Sequence, residues 1–323
     1  MKTLEDFRKF FNEQLSVELS AAEAARKSTI MRAFLVGGII AVLAVLALWG
    51  VVKILGAVHL IGAGILVALV FSFLGFMMVR ETLRNRNFYN LFKGRVVEGI
   101  IRYVDERLHY IPHRYIPSSV LLRSHLFNKP AHSYEGDDYC FMRLENGVFL
   151  EFSEAHLKGI VKEEGTKKVI PLFDGIFAHL HVPEARVGEM YILPSGMSEA
   201  DLYHTGRLHT YTSDSPEFDS QFVVYASTAS AVRRYLNSSL IRAFADFRTK
   251  YPNRHIYYAS HGHNIYLGIT AEQYFFEPNV WQSLVDVESL ERFFLDLNDT
   301  MILLNAVADL SGEPIASQQP QPA

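Results

Sequence analysis

AFLVGGIIAVLAVLALWGVV (Ala33–Val52) and LIGAGILVALVFSFLGFMMV (Leu60–Val79) decide how this chain is organised. Each run is 20 residues long, has no formal charge and holds 12 residues drawn from Leu, Ile, Val and Phe. At about 1.5 Å per residue, a helix of that length crosses a hydrocarbon core of roughly 30 Å. Those side chains favour insertion by several kcal/mol, at about −0.3 to −0.6 kcal/mol each near mid-bilayer. The break between the runs contains Lys53, Gly56 and His59. The expectation is a transmembrane helical hairpin over residues 33–79.

Orientation follows from the flanking charges. Lys2, Arg8, Lys9, Arg26, Lys27 and Arg32 precede the first run, and Arg80, Arg84, Arg86, Lys93 and Arg95 follow the second, while the connection offers Lys53 alone. The positive-inside rule places both termini in the cytoplasm and a minimal loop outside. The first 31 residues alternate charged with apolar positions, a helical pattern unlike the apolar core of a secretory signal.

Residues 1–32 read as an amphipathic helix from Thr3, with apolar Leu4, Phe7, Phe11 and Leu15 at helical spacing. Two placements are open for it, along the cytoplasmic leaflet or packed on the soluble domain; Glu5, Asp6, Glu13, Glu18 and Glu23 dilute any attraction to anionic lipid. Inside the hairpin, small residues recur every four positions at Ala33, Gly37 and Ala41, and again at Gly64, Ala68 and Ser72. That spacing lets helix backbones approach closely, within the hairpin or between subunits. No Asp, Glu, Lys, Arg or His lies inside either run. A proton or ion path needs such groups at depth, so transport by this chain alone is not expected.

After the hairpin, helical periodicity continues over Glu81–Leu108 and the pattern changes to period two from Tyr134. Asp138–Leu144 and Val148–Phe152 flank Asn146-Gly147 and read as a β-hairpin. Strands are expected at Leu172–Val182, Glu189–Leu193, Phe222–Ala226, Ile256–Ser260 and Ile265–Thr270, the last two joined by a hairpin turn at His261-Gly262-His263-Asn264. Helices are expected at Ala229–Leu236, Ser238–Lys250 and Val287–Leu310, and residues 312–323, rich in Pro and Gln, as a disordered tail. Residues 80–311 thus form a cytoplasmic α+β domain with a mostly antiparallel sheet packed with helices.

LFDGIF (Leu172–Phe177) followed by MYILP (Met190–Pro194), EFDSQFVVY (Glu217–Tyr225), IYLGI (Ile265–Ile269) and FEP (Phe276–Pro278) stand in an order that resembles a bacterial family catalogued as domain of unknown function 3137. GDDY (Gly136–Tyr139) and EFSE (Glu151–Glu154) resemble its earlier strands. The resemblance covers roughly residues 80 to 310. It implies an N-terminal membrane hairpin, a cytoplasmic α+β domain, no residue with an assigned role, and a LemA-type membrane protein as partner.

Candidate chemistry is sparse. His179 and His181 sit two apart on an expected strand, so both imidazoles leave one face as a metal pair requires, but no spacing supplies further ligands. His261 and His263 fall at a turn, and His204 and His209 in a loop. Asp137 and Asp138, as strand neighbours, should point to opposite faces and not act jointly. Cys140, the one cysteine, excludes an internal disulfide and reads as buried and structural. No phosphate-binding glycine loop or nucleophile elbow is present, and a net charge of −4 without a basic run argues against nucleic acid. No cofactor or catalytic residue is expected.

The reading is a membrane-anchored interaction or scaffold protein whose cytoplasmic domain docks a partner or self-assembles. The alternatives are an unadvertised enzyme at the membrane surface, with His179, His181 and nearby acids as its candidates, and an accessory subunit of a transport or envelope-quality complex.

Overall fold

The computed structural model describes residues 2–55, 60–83, 86–163, 166–203, 206–271, 276, 281, 283–284 and 287–309. The expected tail at 312–323 and His204 lie outside them. The chain forms two compact units, Met1–Gly99 with Glu277–Arg292, and Ile100–Phe276 with Phe293–Ala323. The division falls later than residue 80, because the stretch after the apolar helices is built into the first unit.

In that first unit, Thr3 caps α1 (Leu4–Phe10) reciprocally: its hydroxyl accepts from Asp6 N–H at 3.2 Å and its own N–H donates to the Asp6 carboxylate at 3.0 Å. A π-helical turn (Phe11–Leu15) leads into α2 (Ser16–Leu55), followed by α3 (Leu60–Leu83) and α4 (Arg86–Leu91). Phe7, Phe11, Leu15, Leu19 and Ala22 are buried, as are Phe88, Phe92, Val96 and Val97. Leu15 Cδ1 lies 3.2 Å from the place a Cβ would take on Gly99. The amphipathic N-terminal helix therefore packs on protein.

Polar contacts fix the same end of α2. Arg26 pairs with Glu23 at 2.6 Å, and the Glu23 carboxylate also accepts from the Leu284 N–H at 3.1 Å and the Ser283 hydroxyl at 3.3 Å. Arg8 pairs with Glu291 at 2.6 Å. Farther along, α2 and α3 touch: Val79 lies 3.8 Å from a Cβ built on Gly37, and Ile40 lies 3.4 Å from one built on Gly75. Among the described residues one helical segment, Leu19–Gly50, is long and apolar enough to cross a membrane.

The second unit is α+β. Its strands are β1 (His109–Ile111), β2 (Ala131–Arg143), β3 (Phe149–Glu163), β4 (Thr166–Pro194), β5 (His209–Tyr211), β6 (Phe222–Ala226) and β7 (Ile256–Thr270). They run in the order β1-β2-β3-β4-β6-β5, with β7 also paired to β4, and every described pairing is antiparallel. The helices are α5 (Glu98–Val104, which begins before the unit boundary), α6 (Ser118–Arg123), α7 (Pro216–Gln221), α8 (Ala229–Tyr235), α9 (Ser238–Lys250) and α10 (Val287–Ala308).

The expected hairpin at Asn146-Gly147 is present, with Arg143 opposite Phe149 and Gly147 at φ 83°. Two other expectations fail for one reason. Leu172–Val182 and Glu189–Leu193 belong to the single strand β4, and Ile256–Ser260 and Ile265–Thr270 to the single strand β7. His261–Asn264 makes no hairpin turn. Gly262, at φ 54°, stands opposite Arg186, and β4 carries the extra residues between His181 and Met190 as a bulge. The two strands stay paired across that irregularity, bent together.

Strand alternation sends Phe177, Tyr191 and Tyr266 into a core with Ile116, Leu121, Leu126 and Leu157, on the side covered by α6. Leu180, Ile265 and Leu267 alternate with them and are also buried. α9 packs Phe244 on Tyr258 at 6.2 Å, and α10 buries Phe294, Leu297, Met301 and Leu304. Removing one such aromatic or leucine from water contributes about 1.5–3 kcal/mol.

Candidate functional site

The α6-side face of the sheet carries a hydrogen-bonded row that register sets. β3 places Glu151 opposite His179 on β4, and β4 places His179 opposite Tyr266 on β7. His179 Nδ1 lies 2.8 Å from Glu151 Oε1 and Nε2 lies 2.9 Å from Asn264 Oδ1. Each ring nitrogen thus has a protein oxygen within hydrogen-bond reach. The Tyr139 hydroxyl donates to the other Glu151 oxygen. Burial pushes the Glu151 carboxyl up, but the hydrogen bonds from His179 and Tyr139, with the charges of His179 and Arg123, more than offset it, so its pKa ends below the usual value. The Tyr139 phenol is pushed up, first by burial and then by Glu151.

Both nitrogens of the buried His179 are thus engaged by protein atoms, which leaves no lone pair facing outward for a metal. His181, two residues on, is exposed and stacks on His263 at 5.6 Å; His263 Nδ1 lies 3.1 Å from the Val182 carbonyl. The two candidate histidines leave the same face of β4 yet have separate partners. His209 lies on β5.

A second cluster forms where sequence alternation excluded one. Asp137, Asp138 and Glu154 bring carboxylate oxygens within 4.8 Å of one another. The bulge between Asp137 and Cys140 breaks the alternation, and Asp138 takes a left-handed φ of 57°. Gly136 permits the close approach, since a Cβ there would fall 2.3 Å from the Glu154 carbonyl oxygen. The Tyr110 hydroxyl donates to Asp138 and the Phe276 N–H donates to Glu154 at 3.0 Å. Oxygen donors of this kind suit a hard cation such as Mg²⁺ or Ca²⁺; here they already accept from protein groups. Cys140 beside them is fully buried, and burial pushes its thiol well up, away from nucleophilic chemistry.

Of the small-residue ridge in the apolar helices, Gly37 is half-buried against Val79, whereas Ala41 and Ser72 are exposed. The surroundings of Gly64 and Ala68 are outside what the structure describes. Gly75 makes the close contact on α3 and is three residues past Ser72, off the four-residue spacing.

Sequence reasoning did not single out Glu151, Tyr139, Asn264, Tyr266 or Arg123. The Asn-Gly turn held part of the signal, because a hairpin closed there places Phe141 opposite Glu151. Nothing local pairs Glu151 with a histidine 28 residues away.

The sequence matches none of the curated proteins. A solved structure similar in part is the crystal structure of the mycobacterial trehalose monomycolate transport factor A, TtfA, with a TM-score of 0.32 and 11% identity over 72% of this chain and 100% of that one. Residues 171–308 match a family model described as "Protein of unknown function (DUF3137)". That segment, which is similar to this family, runs from within β4 to the end of α10.

Proposed function

We propose that the protein is a membrane-anchored interaction module. In this reading α2 and α3 cross the bilayer as a hairpin, both chain ends face the cytoplasm, and the α+β unit docks a partner protein or assembles with copies of itself. The observation that carries the reading is the band of unburied apolar side chains on the two helices. Phe34 is 69% exposed, Trp49 64% and Phe73 65%, with Leu35, Ile39, Val45, Leu69 and Phe76 in the same condition. Contiguous apolar surface on that scale marks a surface that something else covers, and lipid covers it here. Lys53 lies 5.7 Å from the Trp49 ring, a pairing suited to the membrane–water interface. The packed N-terminal half of α2 favours a retained anchor over a cleaved signal.

The test uses the native cysteine's burial. Cys140 is inaccessible, so a cysteine introduced at an exposed site is the one that reacts. A Lys53→Cys chain should take an impermeant maleimide from outside intact spheroplasts, and a Lys167→Cys chain only after lysis. Membranes washed with alkaline carbonate should retain the protein. Release by carbonate, or labelling at Lys167→Cys in intact spheroplasts, would sink the topology. For the docking half, the full chain in mild detergent should co-purify with a LemA-type membrane protein or run as an oligomer; a lone monomer would count against both.

A further inference from the structure

Between α6 and β7, the rings of His125 and His261 lie 4.9 Å apart with their planes 14° apart. His125 Nδ1 and His261 Nε2 are each buried without a hydrogen-bond partner. The ring of Tyr266 lies 5.3 Å from that of His261. His125 holds a left-handed φ of 60°, a conformation that non-glycine residues adopt at a cost and keep when their surroundings enforce it. Its surroundings do: the His125 carbonyl accepts from the Tyr203 N–H at 2.8 Å, and the Tyr203 ring meets the imidazole edge-on at 6.2 Å. Behind it, the Leu126 N–H donates to the Ser124 hydroxyl at 3.3 Å.

The charges around the pair come from three sides. On α6, Arg123 puts its guanidinium beside Tyr266 and its backbone carbonyl beside His261. On β4, Glu189 is the acid that acts on His261, and its carboxylate already accepts from the Tyr191 hydroxyl at 3.1 Å. Beyond Tyr266, at 5.1 Å, lies His179 with its own partner Glu151. A proton on His261 would thus meet burial and the stacked His125 ring, which outweigh the Arg123 carbonyl and the Glu189 carboxylate that favour it.

We propose that His125 and His261 form a proton-sensitive latch: with His261 neutral against the His125 ring, α6 and the turn after it stay closed over the sheet, and protonation of His261 releases them. Release exposes Leu121 and Leu126, which belong to the core under α6. The sign is fixed by the closed form. Burial first, then His125, hold the His261 pKa below its ordinary 6.5, so the closed form binds fewer protons than the open one. Closure is therefore fully favoured above about pH 6.5 and is lost as pH falls below it.

Hydrogen exchange of the full chain in detergent, read by mass spectrometry at pH 7.5 and 5.5 and corrected for intrinsic exchange rates, tests this. As His261 regains its ordinary 6.5 on opening, the open population of residues 118–128 should rise up to about tenfold between those pH values. Strands β2 and β3 should stay protected at both. His261→Gln should flatten the response, and His125→Asn, which removes the ring stacked on His261, should weaken it. A flat wild-type response, a full wild-type response in His261→Gln, or simultaneous loss of protection in β2 and β3 would overturn the latch.

Discussion

Glu151 and His179 face each other across β3 and β4 and share a 2.8 Å hydrogen bond, with the Tyr139 hydroxyl on the carboxylate's other oxygen. Because the pair is buried, each partner is costly to leave alone. Glu151→Gln should destabilise the protein by about 1–3 kcal/mol, read from denaturant unfolding. The carboxyl's folded pKa is below its ordinary 4.5, so its contribution is complete above about pH 4.5 and fades as pH falls through the lower folded value. Wild type should lose stability over that acid range more steeply than Glu151→Gln; parallel curves would refute the assignment.

Asp138 combines a left-handed backbone with a hydrogen bond from the buried Tyr110 phenol. Asp138→Ala removes the acceptor and puts a less tolerant residue at that φ. A loss of about 1–3 kcal/mol in unfolding free energy is expected, and an unchanged midpoint would show that the bulge is held without it.

The contact of α2 with α3 is open to chemical test. Gly37→Cys with Val79→Cys should cross-link readily under mild oxidation in membranes, whereas Ala41→Cys with Ser72→Cys, both exposed, should not. Gly75→Leu should crowd Ile40 and lower thermal stability in detergent, by about 1–3 kcal/mol if the helices cannot shift.

Glu23 serves Arg26, Ser283 and Leu284 at once. Glu23→Ala leaves a buried guanidinium and an unpaired N–H, which should cost about 3–5 kcal/mol. Glu23→Leu combined with Arg26→Met, measured in the same unfolding assay, should recover most of that loss.

Local signals in the sequence were legible and long-range ones were not. The strand at Phe222–Ala226, the helices following it, the Thr3 cap and the Asn146-Gly147 turn all follow from spacing within a few residues. The continuity of β4 and β7 was hidden because glycine and histidines at 261–264 have the composition of a turn, and β4's bulge opposite them has no sequence mark of its own. The acidic cluster was missed for a related reason: alternation holds only while a strand is regular, and Asp138 sits where it is not. The row from Tyr139 to Asn264 depends on the register of four strands, which no single stretch encodes.

α2 is one unbroken helix of 40 residues, gripped at Leu19, Ala22, Glu23 and Arg26 and bare on one face between Phe34 and Trp49. With about 3.6 residues per turn, the azimuth of every bare side chain is dictated by that grip. One residue inserted between Arg26 and Phe34 would swing the whole bare face by about 100° and advance it by about 1.5 Å, while leaving composition and length of the apolar run untouched.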